Sequence, residues 1–175
     1  MAMSFSDYNF PKDRKYRINN TPNHFWISES NDGLITLGLS DFFQKQIGNI
    51  NSVTIKDSVG VTIKTGKTLG LVKAKNYSAI LKYPLSGSIV KVNTVSKNPK
   101  LINDSPYDDG WLIVLKPDPK LNDQNDDKWV DLTNADSEKA FKDFIEKEIT
   151  NKALMADECC PDLLGGSGVV RRLKK

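Results

Sequence analysis

Two adjacent thiols, Cys159-Cys160, are the only cysteines in the chain, and His24 is its only histidine. Neighbouring cysteines cannot close the usual long-loop disulfide, and two soft ligands without further partners fall short of a zinc site. Any Ser–His or Cys–His nucleophile would have to rest on His24 alone. With Asp157 and Glu158 just before them, the thiols could form a redox pair or supply soft metal ligands shared with a partner. The plainer reading is two ordinary thiols on a solvated tail. Gly165-Gly166-Ser167-Gly168, followed by Arg171, Arg172, Lys174 and Lys175, could cradle a phosphate or dock on an acidic surface. It lacks, however, the strand–loop–helix setting that a phosphate loop requires.

The elements that would position any site are mostly short strands. Phe25-Trp26-Ile27-Ser28-Glu29, then Asn31-Asp32-Gly33, then residues 34–39 predict a hairpin around a tight Asp-Gly turn, with Ile35, Leu37 and Leu39 on one face. Ser40 is placed to cap a short helix near 40–48 that Gly48 ends. Val53 and Ile55, then Val61 and Ile63, alternate with polar residues. Leu69, Leu71 and Lys73 alternate with Gly70, Val72 and Ala74. A polar stretch, Lys75-Asn76-Tyr77-Ser78, interrupts the apolar residues before Ile80 and Leu81. Further strands are expected at 89–92 and 111–115. Many short strands broken by glycine argue for a small barrel or sandwich. Residues 118–128 are rich in Asp and Asn and read as a loop. The spacing of Phe141, Phe144, Ile145 and Ile149 then predicts a helix over 137–151 whose apolar face packs on the β core, with Glu138 and Lys142 as an exposed pair. Residues 1–15 are expected to be a flexible arm, 16–151 the folded domain, and 152–175 a tail.

A chain of 175 residues with 27% charged and 38% hydrophobic residues has a globular composition and enough length for a core without disulfides. The net charge of +3 is concentrated at the end, because four of the 25 basic residues lie within the last five positions. The remainder carries 21 basic against 22 acidic residues. No nucleic-acid partner is therefore expected, and with no run of about 18 apolar residues no membrane is expected either. With no apolar segment near Asp7 and Lys12 to serve as a secretory signal, the expected compartment is the cytoplasm.

Several short motifs occur in order along about residues 16–117. They are Asn23-His24-Phe25-Trp26-Ile27, Leu37-Gly38-Leu39-Ser40-Asp41, Ile47-Gly48-Asn49-Ile50, Thr65-Gly66-Lys67 through Gly70, and Tyr83-Pro84-Leu85-Ser86-Gly87. Asn93, Leu101-Ile102-Asn103, Pro106-Tyr107 and Gly110-Trp111-Leu112-Ile113 complete the series. In this order and register the chain resembles the H protein of the glycine cleavage system. The resemblance implies a mainly β barrel-sandwich hybrid, like lipoyl and biotinyl domains, and a carrier without enzymatic activity of its own. The implied cofactor is lipoate on a lysine at the tip of an exposed hairpin. The implied partners are a pyridoxal-phosphate glycine decarboxylase, an aminomethyltransferase and dihydrolipoamide dehydrogenase, or a lipoate-handling enzyme, with the chain itself a monomer. The resemblance makes His24 a packed or surface residue of the opening strand, and Trp26 and Trp111 core or near-core aromatics.

One departure bears directly on the chemistry. The family's carrier lysine stands six residues after the glycine of the preceding strand and eight before the proline; counted from Gly70 and from Pro84, that position is Asn76. An asparagine amide has its nitrogen lone pair delocalised into the carbonyl and cannot be acylated as an amine is. Lys73 stands where the family has glutamate, and Tyr77 where a small residue follows the lysine. Lys75, one position away, is the remaining candidate for attachment. On a regular strand a shift of one residue would turn it to the opposite face, a restriction that relaxes at a turn. Three functions stay open at this point: a carrier acylated at Lys75, a non-lipoylated paralogue that keeps the fold as a binding or adaptor module, and a redox or metal-linked partner protein acting through Cys159-Cys160.

Overall fold

The structure, a computed structural model, describes residues 2–18, 23–75, 77–119 and 128–158. In chain order the elements are β1 (Ala2–Phe5), β2 (Tyr8–Pro11), β3 (Lys15–Ile18), β4 (Phe25–Glu29), β5 (Ile35–Leu39), α1 (Asp41–Ile47), β6 (Ile50–Ile55) and β7 (Thr62–Ile63). There follow β8 (Thr68–Ala74), β9 (Tyr77–Lys82), β10 (Gly87–Val92), a 3-10 turn at Thr94–Ser96, α2 (Leu101–Asp104), β11 (Trp111–Pro117), β12 (Lys128–Asp131) and α3 (Ala135–Glu158). Among the described residues they form a seven-stranded sheet in the order β12-β3-β4-β5-β11-β10-β7, a three-stranded sheet β6-β8-β9, and the hairpin β1-β2. The fold is mainly β, a barrel-sandwich hybrid with a short helix after β5 and a long helix at the end.

Two apolar clusters hold it together. Phe25, Leu37, Leu69, Val72, Leu81, Ile89 and Leu115 fill the space between the larger sheets. Met3, Phe10, Tyr16, Trp26, Phe42, Phe141 and Ile145 form a second cluster. Strand β4 serves both: Phe25 and Ile27 belong to the first cluster and Trp26 to the second. Alternate side chains leave opposite faces of a strand, so an uninterrupted apolar run marks a strand buried on both sides.

Local chemistry explains the element boundaries. The β4–β5 turn is closed by Ser30, whose backbone N–H donates to Leu34 at 2.9 Å, with Gly33 at φ 70°. The Oγ of Ser40 accepts the Phe43 N–H at 3.1 Å, capping α1, and Gly48 ends that helix at φ 81°. Helix α3 begins two residues earlier than its apolar spacing predicts, because Asn134 caps it through Oδ1 to the Asp136 N–H at 2.8 Å. It runs to Glu158, into the segment expected as tail. Phe141 and Ile145 are fully buried, and Glu138 pairs with Lys142 at 2.9 Å and with Lys12 at 2.7 Å. These two lysines hold the Glu138 carboxyl below the usual carboxylate range.

Two expectations need correction. Residues 1–15 are not an arm: β1 and β2 pair from Ala2↔Pro11 to Phe5↔Tyr8, with Met3 and Phe10 buried in the second cluster. Phe10 meets Phe141 edge-on with ring centres 4.9 Å apart, so the hairpin and α3 pack against each other. The strict alternation expected in β8 is also broken: Leu69 is buried, Leu71 half-buried and Lys73 exposed, while Val72 and Ala74 point inward. A register shift between Thr68 and Gly70 interrupts it, leaving Leu69 and Gly70 both buried.

At Gly70 the backbones of β8 and β6 approach so closely that a β-carbon would fall onto the Thr54 carbonyl oxygen and lie 3.2 Å from the Ile55 α-carbon. Both contacts are to backbone and cannot rotate away. Gly70→Ala is therefore expected to cost about 1–3 kcal/mol, read as a lower urea midpoint at unchanged m-value. A neutral result would mean that the two strands separate without loss.

Candidate functional site

The hairpin of β8 and β9 is set on the first core by its inward residues. Val72 and Leu81 are fully buried, and Val53 of β6 packs with them. The register runs Leu71↔Ile80, Val72↔Ala79, Lys73↔Ser78 and Ala74↔Tyr77. Since Ala74 and Tyr77 are paired, only positions 75 and 76 connect the strands, the length that gives a tight hairpin. Lys75 is a turn residue and is exposed. Asn76 lies outside the described residues. The tip therefore offers one primary amine to solvent on a connection too short to fold away from its strands. An exposed amine of this kind can be acylated to a neutral amide.

Around the tip, Ala74 is buried and Tyr77 half-buried, and burial pushes the Tyr77 phenol up from its ordinary value. Lys73 is exposed, opposite Ser78 on one side and Ser52 on the other. The outer edge of β9 is fastened to the larger sheet by Asn23, whose Nδ2 donates to the Ile80 carbonyl at 3.0 Å.

Next to Asn23, His24 is buried. Its Nδ1 meets the Ser40 Oγ at 2.8 Å, and its ring lies against Phe144 at 5.9 Å with an interplanar angle of 21°, and near Phe42 and Phe141. It is a packed histidine joining α1 to α3. Trp26 is a core residue and Trp111 a half-buried one, matching the expectation for both. Cys159 and Cys160 lie outside the described residues.

The structure also contains a polar network that sequence reasoning missed. Asp41 accepts the Asn9 N–H at 2.8 Å, the Gln44 side-chain amide at 2.6 Å and the Lys45 ammonium at 2.8 Å. The Tyr107 hydroxyl donates to the Asn9 carbonyl at 2.6 Å and accepts the Asp41 N–H at 3.0 Å. This network fixes the β1–β2 hairpin over the start of α1. The one signal for it was the apolar spacing of Met3 and Phe5, then Tyr8 and Phe10, at the period of a strand. Among the described residues no helix is long and apolar enough to cross a membrane.

Comparisons with known proteins place this geometry. The family model described as glycine cleavage H-protein matches residues 14–144. A glycine cleavage system H protein of Bacteroides thetaiotaomicron is 38% identical over 110 residues, covering 62% of this chain and 82% of the relative. One from Anaeromyxobacter sp. (strain K) is 32% identical over 140 residues, covering 79% and 97%. The crystal structure of a glycine cleavage system H protein from Mycobacterium marinum superposes with a TM-score of 0.54 at 30% identity, covering 62% of this chain and 86% of that one. With the family model spanning residues 14–144, most of its length, the chain belongs to the glycine cleavage H-protein family.

Proposed function

We propose that this chain is a lipoyl-carrier component of glycine cleavage, with the lipoyl group joined through an amide to Nζ of Lys75. The single observation that carries this reading is the exposed Lys75 amine on a two-residue connection anchored by Val72 and Leu81. A turn position lifts the objection that a neighbour of the family's lysine position must face the wrong way. Asn76 does not fit an amide-linked group, whereas Lys75 does. When bound, a lipoyl group supplies a dithiolane that carries an aminomethyl group and electrons between enzymes. The protein's own part is mechanical: the β8–β9 strands hold the amine away from the body, and tethering raises the local concentration of whatever it carries. The chain performs no reaction itself and works as a cytoplasmic monomer. Its partners in this reading are a pyridoxal-phosphate glycine decarboxylase, an aminomethyltransferase and dihydrolipoamide dehydrogenase.

A second reading, a paralogue that keeps the scaffold without the arm, is favoured by one observation: Asn76 and Lys73 both depart from the family pattern. Incubating the full chain with lipoate–protein ligase, lipoate and ATP, then mapping peptides by mass spectrometry, separates the two. The carrier reading expects one lipoyl increment on the Lys75 peptide, absent in Lys75→Arg and retained in Lys73→Arg. An unmodified chain beside a modified lipoyl-domain control would leave only the scaffold.

A further inference from the structure

The chain's near-neutral body conceals a strong separation of charge. Residues 42–103 contain ten lysines, no arginine and one acidic residue, Asp57, whereas residues 104–158 contain fifteen acidic residues against seven lysines. Asp57 is already engaged, accepting the Tyr83 hydroxyl at 3.0 Å. The basic stretch contains the whole β6-β8-β9 sheet. On that sheet's outward face Lys73 and Lys82 are exposed, with Lys56 at the end of β6 and Lys75 at the tip. Among the described residues none of these four has an ion-pair partner. Between them runs the rung Thr54–Leu71–Ile80, where Leu71 is half-buried and Ile80 is 58% exposed.

We propose that the outward face of the β6-β8-β9 sheet is a docking surface for a protein whose own contact surface is acidic. Unpaired like charges on one face repel one another and weaken the fold, so this fold gains nothing from them internally. Facing an acidic surface they become complementary, steering encounter and setting orientation. The centre supports a protein partner over a nucleic acid. An exposed isoleucine beside a leucine, ringed by charge, has the apolar-core and polar-rim anatomy of a protein interface. The face offers none of the arginines or exposed aromatics with which nucleic acids are gripped and stacked. The sheet face is small, on the order of 20 Å by 10 Å across the backbones, less than a specific complex buries on each side, so contact through it alone is weak and brief. Weak docking suits a protein that must leave one partner for the next. The proposal rests on the carrier reading only for which enzyme docks there, since the charged face exists whether or not Lys75 is acylated.

The test places a photo-crosslinking residue, p-benzoylphenylalanine, at position 80 of the full chain in its native host. A control carries it at position 59, where Val59 is 61% exposed on the loop between β6 and β7. The expected result is a protein adduct at position 80 whose cross-linked peptide is rich in Asp and Glu. In Lys73→Glu/Lys82→Glu its yield should fall at least about tenfold, as like-charge juxtaposition predicts. Both lysines are exposed, and an unchanged unfolding midpoint would show that this variant folds. An adduct at position 80 no stronger than at 59, one insensitive to charge reversal, or one removed by nuclease would each overturn the proposal. Peptide mass at Lys75 in the same samples scores the carrier reading separately, so either idea can fail alone.

Discussion

Trp26→Ala lowers the unfolding free energy by about 3–5 kcal/mol, the cost of emptying a large buried aromatic site. The indole is 1% exposed, and its Nε1–H is shared between the carbonyls of Leu39 at 3.1 Å and Pro106 at 3.0 Å. The ring occupies the space that a side chain at Gly38, its partner across β4 and β5, would fill. The Arg14 guanidinium lies 5.2 Å above the ring, and Tyr107 packs at 5.8 Å. Truncation therefore leaves a cavity, removes the donor of two carbonyls and uncovers an arginine in one step. In a protein of this size the unfolding midpoint should fall by about 6–20 °C. Trp26→Phe, which keeps a smaller aromatic ring but not the donor, should lose less stability than Trp26→Ala. A loss for Trp26→Ala within the scatter of a surface substitution would show that the second cluster is not a working core.

Raising the pH above about 10 should destabilise the fold steeply, because three phenols are buried in neutral form. Burial is the first cause at Tyr16, Tyr83 and Tyr107, and it pushes each hydroxyl well above the ordinary phenol range. At Tyr83 the hydrogen bond to Asp57 adds to the rise, and at Tyr16 the neighbouring Tyr107 does. Each hydroxyl donates: Tyr16 to the Pro11 carbonyl at 2.9 Å, Tyr83 to Asp57 and Tyr107 to Asn9. The sign follows from which state gives up its proton first. In the unfolded chain these phenols ionise near their ordinary value, while in the folded chain they keep the proton. Their contribution is thus fully present below that pH and is lost as pH rises toward the folded values. Each phenol adds a slope of about 1.4 kcal/mol per pH unit, about 4 for the three together. Urea midpoints measured from pH 9 to 11.5 would show it, and Tyr83→Phe should remove about a third of the slope. Stability flat across that range would mean that these hydroxyls reach water in the folded state.

Much of the architecture was legible because it depends on short stretches of chain. The β4–β5 hairpin follows from Asp32-Gly33, the start of α1 from Ser40 and its end from Gly48, and the buried face of α3 from the spacing of Phe141 and Ile145. The ordered motifs between residues 16 and 117 pointed to the family that the comparisons then showed. The candidate site was legible in part. The count from Gly70 and Pro84 located the hairpin tip, but whether Lys75 sits on a strand or in a turn depends on the pairing of Ala74 with Tyr77. Which face of β8 turns inward could not be read from its alternation, because a bulge adds a residue with no mark in composition. The N-terminal hairpin was missed because its polar residues, Asn9 among them, are satisfied by partners such as Asp41 and Tyr107, far along the chain.

By itself the sequence determined the local elements, their caps and turns, and the class of fold, since periodicity, capping and turn preference act between residues a few positions apart. Only the tertiary structure decided that Trp26 faces one core while Phe25 and Ile27 face another, that residues 2–11 close over α1, and that lysines spread along the chain converge on the face beside the hairpin tip. Those outcomes arise from strand pairing and burial between distant segments, where the partner of each residue is chosen by the fold as a whole.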